Sequence, residues 1–196
     1  MDFLLDLLQG IGLAAAVGIR PFLPVLLAGA LAAANLGLDF DGTDFAFLEE
    51  WPFLLGVLVL VAGLDIVGRR AGRDAPDRPP LLYALLALAL ALGALVAAGS
   101  VAEDSSDWWA GAIAGVAAAA LGFEAARQLF GRVRRRLDEQ AAAALPVYAE
   151  GVALLAAGIS ILFPPLALFV IGALIWLLAG GRRREGEKYA GLRILR

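Results

Sequence analysis

Long apolar stretches alternate with short polar segments along the whole chain. Seven of the apolar stretches have helical length, and they cover residues 3–19, 21–37, 52–68, 81–99, 108–130, 142–162 and 165–181. A bilayer core about 30 Å thick is crossed by a helix of about 17 to 25 residues. The pattern therefore predicts an all-α integral membrane protein with about seven short transmembrane helices.

The first two stretches need a break between them. As one helix, residues 3–37 would be about 52 Å long, which exceeds the bilayer even with tilt. Arg20 interrupts the apolar run, and Pro21 can begin a second helix because its missing N–H is not needed there. We expect two crossings. The alternative is six spans, with residues 3–19 forming a re-entrant or interfacial helix.

The composition supports a membrane protein and excludes several kinds of chemistry. Hydrophobic residues make up 61% of the chain and the mean hydropathy is +0.82, whereas soluble domains are about 45–50% apolar. We expect one transmembrane domain over residues 1–196. The chain has no cysteine and no histidine, which removes disulfides, thiol chemistry and the usual zinc ligands. We expect no cofactor, no metal site, no nucleic-acid partner and no enzymatic activity.

The charges predict an orientation in the plasma membrane. All 16 basic residues lie at Arg20 or in the segments 69–78, 127–136 and 182–196. The segments 39–50 and 103–107 are acidic, and tryptophans flank them. Basic residues mark the cytoplasmic side, and aromatic residues mark the interfaces. With seven spans, the N-terminus lies outside and the C-terminus lies in the cytoplasm.

Three pairs of similar segments occur in the same order in the two halves of the chain. AAAVGIR (14–20) resembles AAALGFE (118–124), LPVLLAG (23–29) resembles LPVYAEG (145–151), and Pro52–Arg70 aligns without a gap to Pro165–Arg183. These matches predict two parallel three-helix repeats, residues 3–70 and 108–183, joined by a linker helix at 81–99. The alternative is that short helices marked by proline and glycine look alike without a repeat.

The candidate site consists of charges within the predicted spans. Arg20, Asp65, Glu124 and Glu150 all lie in the predicted inner half of the membrane. Facing lipid would be costly, so we expect them to face one another or a water-filled cavity. The repeat aligns Arg20 with Glu124, which predicts a direct or water-bridged ion pair. The alternative is snorkelling to the inner surface with structural salt bridges, and we favour it for Arg127.

A second group of residues is predicted to shape the helices around this site. Tyr148, two residues before Glu150, is expected to supply a hydroxyl for hydrogen bonding. Gly18 and Gly122 are expected to allow close helix packing. The prolines Pro21, Pro24 and Pro146 are candidate hinges, and Pro24 and Pro146 are expected in the first turns of repeat-related helices.

The stretch GIRPFLP (18–24), Asp65 before a cytoplasmic loop and LPVYAEG with Glu150 carry a resemblance to a known family. They resemble a family of bacterial integral membrane proteins catalogued only as a domain of unknown function. Its pattern has Gly-x-Arg-x-Phe-Leu-Pro near the start, an acidic pair late in the second apolar block and Ser-x-x-Glu-Asp opening the last hairpin. This chain lacks one acid of the pair, and Glu150 lacks the accompanying serine and aspartate. The resemblance implies no established activity.

Two classes of function fit these patterns. Short spans interrupted by proline and glycine in both halves, together with intramembrane charges, favour a transporter or channel-like protein that moves a small solute or ion. The alternative is a structural or regulatory membrane protein without a substrate path. The expected partners are the lipid bilayer and an unidentified small solute or ion, and assembly into a homo-oligomer is left open.

Overall fold

The protein folds into a bundle of α-helices. The computed structural model describes residues 2–71, 79–102, 107–134 and 136–190, and no strand occurs in these ranges. The helices are α1 (Asp2–Ile19), α2 (Leu23–Ala32), α3 (Trp51–Ala71), α4 (Pro79–Ala102), α5 (Trp108–Arg134), α6 (Glu139–Leu162) and α7 (Ala167–Ala190), with short 3₁₀ helices at Ala46–Leu48 and Pro164–Leu166. The predicted all-helical fold is confirmed.

Within the described ranges, three helical segments are long and apolar enough to cross a membrane: Leu81–Ala102, Trp108–Arg134 and Ala144–Leu162. Four other apolar segments are shorter, with 10 to 17 residues: Phe3–Ile19, Leu23–Ala32, Trp51–Leu60 and Pro164–Gly180. These lengths fit a membrane protein, as the composition predicts.

The most buried element is α1. Nearly every residue from Gln9 to Gly18 is buried, because α4, α5, α6 and α7 all pack against this helix. A helix lying on a membrane surface would expose its polar face. The structure places α1 in the core of the bundle, which favours a crossing over the interfacial alternative for residues 3–19, and the number of spans stays a prediction.

Small residues bring α1, α4 and α5 into close contact. A Cβ built on Gly10 would lie 3.0 Å from the Cα of Ala97, and one built on Gly93 would lie 3.6 Å from the Cβ of Ala14. These contacts make α4 antiparallel to α1. A Cβ built on Gly111 would overlap the carbonyl oxygen of the same Ala97, so α5 begins at the same end of the bundle as α1. Helices α1 and α5 are therefore parallel.

The crossing of α1 and α5 is reciprocal. A Cβ built on Gly18 would overlap the carbonyl oxygen of Ala119, and one built on Gly122 would overlap the carbonyl oxygen of Ala15. Backbone atoms cannot move aside as a flexible side chain can, so only glycine allows this approach at either position. The predicted role of Gly18 and Gly122 in close packing agrees with these contacts.

The position along α1 defines an upper and a lower end of the bundle. The upper end holds the N-terminal half of α1, and the lower end holds Arg20. Helix α6 is antiparallel to α1, because Ser160 would be overlapped by a Cβ on Gly12 while Glu150 lies beside Arg20. Helix α7 runs downward from Ala167, next to Gly12, and the side chain of Arg132 donates to the carbonyl oxygen of Leu177, 3.5 Å away.

The second predicted span is shorter than expected. Residues 21–37 were predicted to be one helix, but α2 has only 10 residues. The helix ends because Asn35 and Gly37 have positive φ angles of 52° and 76°, which belong to the left-handed region that terminates helices. Its proposed equivalent, α6, has 24 residues. The two halves therefore differ in their second helices.

Helix α3 is attached mainly by its first turns. The side chain of Leu54 lies against Gly29, and Val57 is buried, but farther along the helix Val59 is 69% exposed. The predicted equivalent, α7, instead packs against α1 and α5. This is a second difference between the predicted repeats.

Candidate functional site

The candidate site lies at the break between α1 and α2. The backbone N–H of Arg20 donates to the carbonyl oxygen of Ala16 over 3.1 Å, which closes the last turn of α1. Pro21 disfavours helical geometry at the residue before it, so the chain leaves the helix at Arg20. Pro24 then lies in the first turn of α2, where a proline is tolerated. The predicted break at Arg20–Pro21 is confirmed, but Pro21 does not begin the second helix, which starts at Leu23.

Arg20 forms an ion pair with Glu150 on α6. The Nε of Arg20 lies 3.6 Å from Oε1 of Glu150, and the two side chains are 34% and 27% exposed. The other carboxylate oxygen of Glu150 is fully buried. Partial burial weakens screening by solvent, which strengthens the attraction between the charges. The pair fastens the lower end of α1 to α6.

Glu124 has other partners than the predicted one. Its Oε2 lies 3.6 Å from Nη1 of Arg127, and its Oε1 accepts a hydrogen bond of 2.8 Å from the side-chain amide of Gln128. Both partners are on α5 itself, three and four residues on. The predicted direct Arg20–Glu124 pair is not among the described contacts, since Arg20 pairs with Glu150 and Glu124 pairs within its own helix; a water-bridged pair stays a prediction.

The reason lies in helix geometry. Gly18 and Gly122 face each other at the crossing, and each successive residue turns by about 100°. Arg20 and Glu124 each come two residues after these glycines, so their side chains point away from the contact, in different directions. Equivalent positions of the two predicted repeats lie at the same depth, but the side chains of Arg20 and Glu124 do not point toward each other.

Tyr148, a further predicted site residue, is not brought to this pair. Tyr148 is 69% exposed and precedes Glu150 by two residues on α6, so its side chain points in a different direction. Asp65 lies within α3, but its side chain is outside the part of the structure that is described. The described site therefore consists of Arg20 and Glu150.

Pro146 does not occupy the predicted position. Helix α6 starts at Glu139, not at residue 142, because the Asp138 side chain accepts a hydrogen bond of 2.8 Å from the N–H of Ala141 and caps the helix. Pro146 therefore lies inside α6, where it lacks the N–H that would bond to the preceding turn. The prediction of a first-turn proline is wrong, and an interior proline next to Glu150 remains.

The upper end carries a polar contact that the sequence analysis missed. The side-chain amide of Gln9 donates to the carbonyl oxygens of Gly37 and Ile161, the latter over 3.1 Å. Gln9 thus ties α1 to the end of α6 and to the segment after α2. The signal was visible, because Gln9 is a polar residue within an apolar run.

The loop between α2 and α3 carries an acidic cluster at the upper end. Carboxylate oxygens of Asp39, Asp41 and Glu49 lie within 4.8 Å of one another. Burial raises the pKa of the Glu49 carboxyl, as do a hydrogen bond with Asp41 and the charges of Asp41 and Asp39, against a smaller opposing hydrogen bond from Phe40. Such oxygens suit Ca²⁺ or Mg²⁺, but acidic groups in exposed loops are common without an ion, and we assign none.

A scan against protein-family models, a search of curated proteins and a search of solved structures each gave no match. The resemblance to a bacterial membrane family therefore rests on the motif from Gly18 to Pro24 and the other segments quoted above, and it stays a prediction.

Proposed function

We propose that the protein is an integral membrane transporter that moves a small solute or ion past the Arg20–Glu150 pair. The observation that carries the proposal is this ion pair at a helix break. Where one helix ends and the next begins, backbone groups are left free to bind a solute. Transporters use such discontinuous helices at their binding sites. Charged residues within membrane segments are rare, and they commonly mark the paths of solutes and ions.

The proposed architecture has seven crossings in two parallel repeats, residues 3–70 and 108–183, joined by α4. The reciprocal contacts of Gly18 with Ala119 and of Gly122 with Ala15 support it. The sequence alignment equates Gly18 with Gly122 and residue 15 with residue 119, so one contact maps onto the other under a two-fold rotation. The short α2 and the exposed residues of α3 depart from this symmetry.

In this proposal the lower end of the bundle faces the cytoplasm. Arg20 lies there, and so does Arg132 near the end of α5, whereas the acidic loop lies at the upper end. This distribution follows the positive-inside rule. Reporter fusions at residues 1 and 75 should report opposite sides of the membrane. Two reporters on the same side would refute the proposed orientation.

The transport proposal is tested by flux in proteoliposomes. Glu150→Gln keeps the size of the side chain and its hydrogen-bonding capacity but removes the charge. We expect a folded protein that has lost cation- or pH-dependent flux. Glu124→Gln is the matched control, because it removes a carboxylate whose partners in the described part of the chain both lie on α5, and it should leave flux unchanged.

A structural or regulatory protein is the second candidate. The pair between Glu124 and Arg127 favours it, because both residues of that pair lie on α5, three residues apart. If Glu150→Gln is folded and keeps every flux of the wild type, the Arg20–Glu150 pair is structural as well. Absence of any flux for inorganic ions, sugars and amino acids in the wild type would also favour this candidate.

A further inference from the structure

The contact between α5 and α7 ends in an arginine at the lower end of the bundle. Ala125 on α5 and Leu174 on α7 belong to one buried apolar cluster. Arg132 follows Ala125 by seven residues and therefore lies on the same face of α5, about two turns lower. Its Nη2 donates to the carbonyl oxygen of Leu177 on α7, 3.5 Å away. These four residues define the α5–α7 seam, and its lower end is a guanidinium group.

Arg132 has few partners for a partly buried arginine. A guanidinium carries five N–H donors, and in the described part of the chain only Nη2 of Arg132 has an acceptor. That bond is longer than the usual length of about 2.7–3.2 Å, and Leu177 lies within α7, where carbonyl oxygens also bond inside the helix. Arg127, by contrast, is paired with Glu124, 3.6 Å away. The remaining donors of Arg132 are therefore available to an anion.

The sequence around the lower end of the seam is strongly basic. Residues 127–136 include five arginines and no acid, and residues 182–190 include three arginines and one lysine against two glutamates. The first segment is the end of α5 with the turn after it, and the second is the end of α7. Positive charge therefore predominates on both sides of the seam, and such a surface attracts anions.

An exposed tryptophan indicates the depth of this end of the seam. Trp176, next to Leu177 on α7, is 74% exposed, and Ile175 is 53% exposed. Exposed tryptophans of membrane proteins concentrate at the level of the lipid headgroups. Arg132 lies at this level, since it contacts Leu177. A phospholipid fits both features, because its phosphate is an anion at headgroup depth and its acyl chains can cover the apolar side chains of α7.

We propose that Arg132 binds the phosphate of an anionic phospholipid at the lower end of the α5–α7 seam. Two N–H groups of a guanidinium can donate to two phosphate oxygens at once. Basic sites between membrane helices on the cytoplasmic side bind anionic headgroups, and the proposed orientation places the lower end on that side. The site is distinct from the Arg20–Glu150 pair, and it requires insertion in a membrane but not the transport of a solute.

The site is tested by thermal unfolding of the purified full chain in detergent micelles. Dioleoylphosphatidylglycerol is titrated against dioleoylphosphatidylcholine at constant total lipid. We expect the Tm to rise with phosphatidylglycerol along a binding curve, because a ligand bound only by the folded state stabilises it. High NaCl should weaken this rise by screening the charges. Arg132→Gln should weaken the binding of phosphatidylglycerol about 5-fold or more.

Arg127→Gln is the matched control for this experiment. It removes the same charge from the same helix, but Arg127 is already paired with Glu124. Its side chain also points about 140° away from that of Arg132, because each residue of a helix turns by about 100°. The variant should keep the wild-type response to phosphatidylglycerol. Sodium phosphate at matched ionic strength should not replace the lipid.

Three results would overturn the proposal. The first is a wild-type Tm that responds equally to phosphatidylglycerol and phosphatidylcholine, a comparison that stands even if Arg132→Gln does not fold. The second is a loss of binding in Arg132→Gln no larger than in Arg127→Gln, which would indicate diffuse attraction to a basic surface. The third is an equal rise in Tm with inorganic phosphate, which would indicate a site for a free anion. None of these results depends on flux, so the transport proposal succeeds or fails separately.

Discussion

The two described ion pairs have the same separation and different consequences. Arg20 and Glu150 approach to 3.6 Å, and so do Arg127 and Glu124. The first pair joins the end of α1 to α6, while the second closes within one turn of α5. The side chains of the first pair are 34% and 27% exposed, and those of the second are 48% and 43% exposed.

The comparison teaches that distance alone does not assign a role to an intramembrane charge. A pair three residues apart needs only its own helix and can form in any fold that keeps that helix. The Arg20–Glu150 pair needs the break after α1, the crossing of α1 with α5 and the packing of α6 on α1. Any movement between these helices would therefore change the geometry of the Arg20–Glu150 pair.

The largest effect is expected from breaking the crossing that holds Arg20 in place. Gly18→Ala puts a methyl group into the backbone of Ala119, and overpacking of this kind costs about 1–3 kcal/mol. Because the contact is reciprocal, Gly122→Ala should cost a similar amount. The measurement is the free energy of unfolding in mixed detergent micelles.

Gly172→Ala is the control for that experiment. Nothing lies within 4 Å of a Cβ built on Gly172, so the change should be neutral or should stabilise the helix by up to about 1 kcal/mol. If Gly18→Ala behaves like Gly172→Ala, the close contact of α1 with α5 is absent in solution.

A smaller effect should separate the two ion pairs directly. Double-mutant cycles with Arg20→Leu and Glu150→Leu should give a coupling energy of about 1–2 kcal/mol, between the values for exposed and buried pairs. The cycle of Glu124→Leu and Arg127→Leu should give about 0.3–0.5 kcal/mol, as for pairs on one helix. Equal coupling energies in the two cycles would contradict the distinction between them.

The sequence predicted much of the helical framework because apolar stretches and their punctuation are local features. The break after α1 followed from Arg20 and Pro21, and the small residues Gly18 and Gly122 were expected at a close contact. The end of α2 was missed, since it depends on left-handed residues at Asn35 and Gly37, and these were read as part of an apolar span. The start of α6 also differs from the prediction, because it is set by the cap of Asp138, which lies outside the apolar stretch.

The partner of Arg20 could not be predicted from the alignment of the repeats. The alignment relates Arg20 to Glu124 by depth, but the direction of each side chain depends on how the two helices are rotated about their crossing. That rotation is set by the contacts of Gly18 and Gly122 with backbone atoms, which turn both charges away. Glu150 was singled out as functional, but its pairing with Arg20 requires the packing of α6 on α1, which no local pattern contains.

The central claim is that the solute meets the Arg20–Glu150 pair, and a charge swap tests it most directly. Arg20→Glu with Glu150→Arg keeps an ion pair between α1 and α6 but exchanges the positions of the charges. The measurement compares stability in detergent with flux in proteoliposomes for the swap and for each single variant. We predict that the swap recovers the stability that the single variants lose while flux stays abolished. Recovery of stability and flux together would contradict the claim, because a pair that only fastens two helices works in either orientation.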